Sequence, residues 1–160
     1  MTTAGGSSGA DRQLLQVLVV EDDAGDVALV ESVFAEHSLP SSLHHVPDGG
    51  EALAFLNRDD PYQDAPRPDL ILLDLNMPRV DGRQALVMIK SDDRFKSIPT
   101  IVFTTSSSDS DVSSSYNARA NAYVSKPLDL DDFERVIMAI RNFYGHTVTL
   151  PSRPSDDPVT

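Results

Sequence analysis

Asp69-Leu70-Ile71-Leu72-Leu73-Asp74-Leu75-Asn76-Met77-Pro78 holds four consecutive branched aliphatic residues with a carboxylate at each end. A run that short and that apolar is a strand buried on both faces, the pattern of a parallel sheet rather than of a half-exposed hairpin. Two similar runs flank it in sequence. Residues 14–20 are apolar except for Gln16, and residues 100–103 follow Pro99. Shorter stretches at 43–46 and 122–124 bring the expected strands to five. Helices are expected between and after them. Val27, Val30, Phe34 and Ala35 recur at helical spacing over residues 26–37; residues 49–56 follow Asp48 as N-cap; Ala85, Leu86 and Ile89 share a face over 82–90. Residues 109–119 have helical character diluted by serines at 113–115. Residues 130–144 form an amphipathic helix, with Phe133, Val136, Ile137, Ile140 and Phe143 on one face. Five strands alternating with five helices predict an α/β protein: a three-layer, doubly wound (βα)5 fold around a five-stranded parallel sheet.

The 160 residues suit one domain over residues 13–145. Residues 1–12 are expected to be a disordered tail, and residues 146–160 a second tail, largely disordered or used in self-association. Lys plus Arg number 13 against 25 Asp plus Glu, a net charge of −12 that repels nucleic acid and anionic lipid. The chain has no Cys, so disulfides and thiolate metal sites are excluded. Residues 1–10 carry no apolar leader segment, and apolar runs stop at about five residues, far short of a membrane span. A cytoplasmic protein with no membrane or nucleic-acid partner is expected.

In open parallel sheets ligands bind beyond the carboxyl ends of the strands. Here those ends read Glu21, Asp22 and Asp23 after the first strand, Asp74 after the third, Thr104 and Thr105 after the fourth, and Ser125, Lys126 and Pro127 after the fifth. Taken singly each has a plainer explanation, such as acids charging a helix N-terminus or a solvated lysine. Together they bring carboxylates, hydroxyls and one ammonium to a single cleft. Crowded carboxylates are relieved by a hard divalent cation, Mg²⁺ or Mn²⁺. Asp22 and Asp74 are the expected ligands, with Glu21 acting through water and the backbone carbonyl of Asn76 completing the protein's share. Asp74 is then a nucleophile for a phosphoryl group, Lys126 and Thr104 pair with phosphoryl oxygens, and Thr105 is a further phosphate contact.

These segments resemble the receiver (CheY-like) family of response regulators over residues 14–144. The resemblance is carried by Val19-Val20-Glu21-Asp22-Asp23, the stretch from Asp69 to Pro78, Asp81-Gly82, Thr104-Thr105 and Tyr123-Val124-Ser125-Lys126-Pro127, with 30 residues from Asp74 to Thr104 and 22 from Thr104 to Lys126. It implies a phosphoacceptor at Asp74, metal-binding acids at Glu21 and Asp22, a switch pair Thr104 and Tyr123, a cis Lys126–Pro127 bond, and sheet order 2-1-3-4-5. It also implies a histidine kinase as phosphodonor. Thr105 stands where the family often has Ala, and the loop over residues 57–68, with three prolines, is longer than in the smallest members. With Asp26 and the run Thr104-Thr105-Ser106, these features resemble single-domain regulators paired with phytochrome-type kinases, so a bacteriophytochrome is the expected partner.

Sixteen residues follow Tyr144, too few for a DNA-binding module, so the output is expected to be a protein contact, a homodimer through the last helix or a separate target. A metal-dependent phosphohydrolase would share the Asp nucleophile but needs a second Asp two residues on, where this chain has Asn76. A flavin carrier needs a Gly- or Ser-rich first turn to cradle phosphate, and Glu21-Asp22-Asp23-Ala24-Gly25-Asp26 would repel one. A signalling switch, rather than an enzyme acting on a separate substrate, is the reading.

Overall fold

Leu70, Ile71, Leu72 and Leu73 are all buried, at most 2% exposed, which places their strand in the middle of a covered sheet. The computed structural model describes residues 14–36, 40–77 and 79–153. Along them β1 (Leu15–Val20), α1 (Ala24–Ala35), β2 (Ser41–Val46), α2 (Gly49–Asn57), β3 (Leu70–Leu73), α3 (Gly82–Ser91), β4 (Thr100–Thr104), α4 (Asp109–Asn117), β5 (Ala122–Ser125) and α5 (Leu130–Asn142) alternate. All strand pairs are parallel, in the order β2-β1-β3-β4-β5. This is the doubly wound (βα)5 fold expected from the alternation. The tail expected over residues 1–12, the helix end expected at residue 37, and residues 154–160 lie outside the described residues.

Side chains alternate between two cores. On one face Leu18, Val20, Ile71, Leu73 and Val102 pack against Phe55 of α2 and Leu86 and Ile89 of α3. On the other, Val17, Val19, Leu70, Leu72 and Phe103 pack against Val30 and Phe34 of α1 and Phe133 and Ile137 of α5. Each fully buried Leu or Ile contributes about 1.5–3 kcal/mol, and both layers anchor the central strands from which the functional loops emerge.

Several elements depart from the bounds read in the sequence; β2 begins at Ser41 rather than residue 43, and α4 ends at Asn117 rather than 119. α1 begins at Ala24, two residues earlier than expected, because Asp23 caps it by accepting from the Asp26 amide at 3.0 Å. α5 ends at Asn142, and a π turn, Phe143–Thr147, follows. The widened turn takes Phe143 off the buried stripe; it is 50% exposed, and its ring meets Tyr144 edge-on at 5.3 Å. The buried place goes to Arg141, whose Nη1 donates to the Val33 carbonyl at 2.7 Å. Residues 151–153, assigned to the C-terminal tail from sequence, run back to the amino end of the sheet. There Arg153 bonds both oxygens of Asp69, at 3.0 and 2.5 Å, and donates to the Leu14 carbonyl at 2.9 Å.

Gly82 decides how closely α3 approaches β3. Its amide donates to the Leu75 carbonyl at 3.0 Å, and a Cβ there would fall 1.9 Å from the Asp74 carbonyl oxygen and 2.7 Å from Leu75 Cα. Backbone atoms on both sides cannot yield as a flexible side chain would. Gly82→Ala is expected to destabilise the fold by about 3 kcal/mol in urea unfolding. A change within about 0.5 kcal/mol, the scale of an ordinary surface substitution, would contradict this packing.

Candidate phosphoryl-acceptor site

The strand ladders finish in register at the carboxyl edge. The Asp74 amide donates to the Val20 carbonyl at 3.0 Å, the Glu21 amide to Val46 at 3.1 Å, and the Lys126 amide to Thr104 at 2.7 Å. β1, β3 and β5 therefore deliver their next residues, and β4 its last residue, to one cleft. Glu21, Asp74, Thr104 and Lys126 are all under 10% exposed there, whereas Asp22 is open to solvent.

Lys126 is the hub. Its Nζ lies 2.5 Å from Glu21 Oε2, 2.9 Å from Asp26 Oδ2 and 3.3 Å from Asp74 Oδ2. One ammonium thus faces three carboxylates. Burial alone would lower the Lys126 pKa, but the hydrogen bonds to Glu21 and Asp26 outweigh it and hold the group above the ordinary lysine value. Burial pushes Glu21 up to about 7; the hydrogen bond from Lys126 opposes this and the Asp74 charge adds to it. A single cation leaves the cluster net negative.

That surplus charge and the donor chemistry suit a hard cation. Oxygens of Glu21, Asp22 and Asp74 lie within 4.8 Å of one another. All the donors are oxygen, as Mg²⁺ and Mn²⁺ require, and the exposed Asp22 leaves the water side open. Two of the three acids are locked from behind: the Asp23 amide donates to Glu21 Oε1 at 3.1 Å and the Asn76 amide to Asp74 Oδ1 at 3.2 Å.

The hydroxyl side is wired through Asn76. Its Nδ2 donates to Thr104 Oγ1 at 3.5 Å, and its Oδ1 accepts from Arg83 Nη2 at 3.3 Å. An amide thus occupies the position where a phosphohydrolase needs a proton-transferring carboxyl. Arg83 also forks onto Asp111 of α4, at 2.8 and 2.7 Å, and Asp111 accepts from Ser106 Oγ at 2.5 Å. The Tyr123 hydroxyl donates to the Ser106 carbonyl at 2.7 Å. Thr104, the loop after β4 and Tyr123 are therefore linked by one chain of polar contacts. Thr105, expected to contact phosphate, is exposed just beyond β4.

One expected feature is absent. Among the described residues the cis peptide is Asp60–Pro61, not Lys126–Pro127. The trans X-Pro bond is the more stable by about 0.5–1 kcal/mol, and from it Lys126 still reaches all three carboxylates. Three residues of the cleft were not singled out by sequence as site residues. Asp26, in the first turn of a helix, reads as a partner of the helix dipole. Arg83 and Asp111 stand 28 residues apart with nothing in sequence to pair them.

Known proteins resemble this chain in sequence and in fold. The model of the response regulator receiver domain matches residues 17–138. Response regulator Rcp1 of Synechocystis sp. is 41% identical over 136 residues, covering 85% of this chain and 92% of that one. The crystal structure of the phosphorylated cyanobacterial phytochrome response regulator RcpA superposes with a TM-score of 0.85 at 40% identity, covering 87% of this chain and 99% of that one. The Mn²⁺-bound form of Rcp1 superposes with a TM-score of 0.83 at 41% identity, covering 86% and 99%. With the family model spanning well over half of the sequence and so similar a relative aligned along most of its own length, this chain belongs to the family of response regulator receiver domains.

Proposed function

We propose that Asp74 accepts a phosphoryl group from the phosphohistidine of a histidine kinase and that this switches a partner-binding surface. The observation that carries the reading is the buried meeting of Lys126 with Asp74, Glu21 and Asp26. An Asp74 carboxylate oxygen attacks phosphorus; the P–O bond forms, the P–N bond breaks, and its electron pair stays on the imidazole nitrogen. Lys126, already 3.3 Å from Asp74 Oδ2, moves its ammonium onto a phosphoryl oxygen. Thr104 exchanges its contact with Asn76 for another phosphoryl oxygen. Ser106 follows, and Tyr123, held by the Ser106 carbonyl, changes position with it. Asp22, Asp74 and the Asn76 carbonyl would hold Mg²⁺ or Mn²⁺, with Glu21 through water. The bound cation supplies positive charge against the phosphoryl oxygens.

The Mn²⁺ in Rcp1 supports the metal assignment, and the likeness to Rcp1 and RcpA supports a phytochrome-type kinase as donor. A kinase that makes phosphohistidine from ATP implies a cytoplasmic setting. Among the described residues no helix is long and apolar enough to cross a membrane.

Incubation with acetyl phosphate and Mg²⁺ is expected to add the mass of one phosphoryl group, and EDTA to prevent it. No adduct in Mg²⁺ would overturn the proposal. Asp22→Asn is expected to weaken Mg²⁺ binding at least about tenfold, measured by amide shifts during Mg²⁺ titration. The output surface we assign is the last helix and the π turn after it, where Leu130 and Met138 of α5 are 55% and 38% exposed and Phe143 of the turn 50%. Sedimentation is expected to show a larger species after phosphorylation, a homodimer; a monomer in both states would contradict self-association and leave a separate protein target as the output.

A further inference from the structure

The opposite end of the sheet carries a second feature, unrelated to the phosphoryl chemistry. A cleft of ≈ 390 Å³ opens between the end of α2, the loop leading into β3 and the segment before β4. Leu56 and Phe95 line its apolar wall, and Arg58, Arg67, Arg94 and Arg153 its rim. A chain with net charge −12 has only 13 Lys and Arg in all, so four arginines at one cleft are a marked concentration. The prolines at 66 and 68, in the long loop noted from sequence, also line it.

The arginines are not all neutralised by neighbours. Asp92 pairs with Arg94 at 2.7 Å and Asp69 with Arg153 at 2.5 Å, and Asp59 adds its charge near Arg94. Arg67 donates only to neutral acceptors, the Arg94 carbonyl and Ser97 Oγ, although the Asp69 charge reaches it. Among the described residues the Arg58 guanidinium has no hydrogen bond or ion pair. Arg58 and Arg67 thus have no carboxylate within hydrogen-bond reach among the described residues. Arg58 is held at the rim by a left-handed backbone, φ 57° and ψ 37°, that ends α2. Arg94 lies over the Phe95 ring, with Cζ 4.6 Å from the centroid, and its side chain is 62% exposed. This cation-on-ring pair can be extended by a planar group.

We infer that this cleft binds a small phosphorylated ligand with a planar body, of the nucleoside-phosphate class. Guanidinium forks match phosphate oxygens in pairs, and the Leu56–Phe95 wall with the Arg94 plane receives the ring. The volume falls in the range of small-molecule sites. The cleft abuts the residues that lead into β3 and β4, whereas Asp74 follows β3 at its carboxyl end, so the two sites lie at opposite ends of the same strands.

The test uses the full chain, labelled with nitrogen-15, in EDTA so that the acidic site holds no metal. ADP, adenosine and pyrophosphate are titrated separately. ADP is expected to shift the amides of Arg58, Arg94 and Phe95 saturably, with adenosine and pyrophosphate each at least about tenfold weaker. Arg58→Asn keeps a residue that tolerates the left-handed backbone, and Arg94→Gln removes contacts of a mostly exposed side chain, to Asp92, Asn57 and the Phe95 ring, so the double variant should fold. It is expected to bind ADP at least about tenfold more weakly while taking up phosphoryl from acetyl phosphate as the wild type does. The inference is overturned if ADP produces no saturable shift up to about 10 mM, if the shifts map elsewhere, if the double variant binds as the wild type does, or if adenosine or pyrophosphate matches ADP.

Discussion

Asp74→Asn is expected to lose phosphoryl uptake from acetyl phosphate by at least about a thousandfold, since an amide offers no carboxylate nucleophile. The same change should not weaken the fold. Asp74 is one of three carboxylates gathered on a single ammonium, and it is 6% exposed. Replacing it with a neutral group of the same shape removes repulsion against Glu21. Metal-free stability is therefore expected to rise by about 1 kcal/mol in urea unfolding. Loss of uptake with a marked loss of stability would mean that Asp74 is a structural acid and that the chemistry lies elsewhere. Labelling equal to wild type would remove it as acceptor.

Lys126→Met is expected to act in the opposite sense on stability and in the same sense on chemistry. Met preserves length and packing over Phe103, whose ring centre lies 5.8 Å from the ammonium. It leaves Glu21, Asp26 and Asp74 facing one another with no cation. Breaking a buried ion pair from one side costs about 3 kcal/mol or more, so the metal-free variant should unfold at clearly lower urea. Saturating Mg²⁺ should restore much of the loss, because the variant cluster gains more from the added cation. Phosphoryl uptake should still fall at least about a hundredfold with Mg²⁺ present, since the ammonium meant for the phosphoryl oxygen is gone. Unfolding curves with and without Mg²⁺, read beside labelling rates, separate the two effects. A variant as stable and as reactive as the wild type would contradict Lys126 as the hub.

The central sheet was legible because burial on both faces leaves its mark in composition. Leu70–Leu73 and most of Leu15–Val20 have no polar position to mistake for a surface, so the parallel arrangement and the residues just past each strand could be read directly. α4 was less clear for a physical reason. It buries only Ser115, so its sequence Asp-Ser-Asp-Val-Ser-Ser-Ser-Tyr-Asn carries no apolar stripe, and Ser108 capping the Asp111 amide does more to mark its start. Phe143 continued the stripe of α5 on paper, but a π turn changes the rotation per residue and a fixed period cannot anticipate it.

Within the cleft, residues fixed by strand ends were easier to find than residues that reach in from helices. Glu21, Asp22, Asp74 and Lys126 follow strands and Thr104 ends one, so topology gathers them. Asp26 arrives from the first turn of α1, and Arg83 and Asp111 meet only because α3 and α4 start on the same side of the sheet. Such contacts depend on side-chain reach and helix placement, which local pattern does not encode. The Arg153–Asp69 pair spans 84 residues, and for the same reason nothing near either residue announces it.

The most direct test treats the protein with acetyl phosphate and Mg²⁺, reduces any acyl phosphate with borohydride, and locates the modified residue by peptide mass spectrometry. Reduction of an aspartyl phosphate yields homoserine, and the account predicts it at position 74 alone, absent when EDTA replaces Mg²⁺. Homoserine at Asp22, Asp26 or Asp81, or none in a sample that carries the added phosphoryl mass, would contradict it.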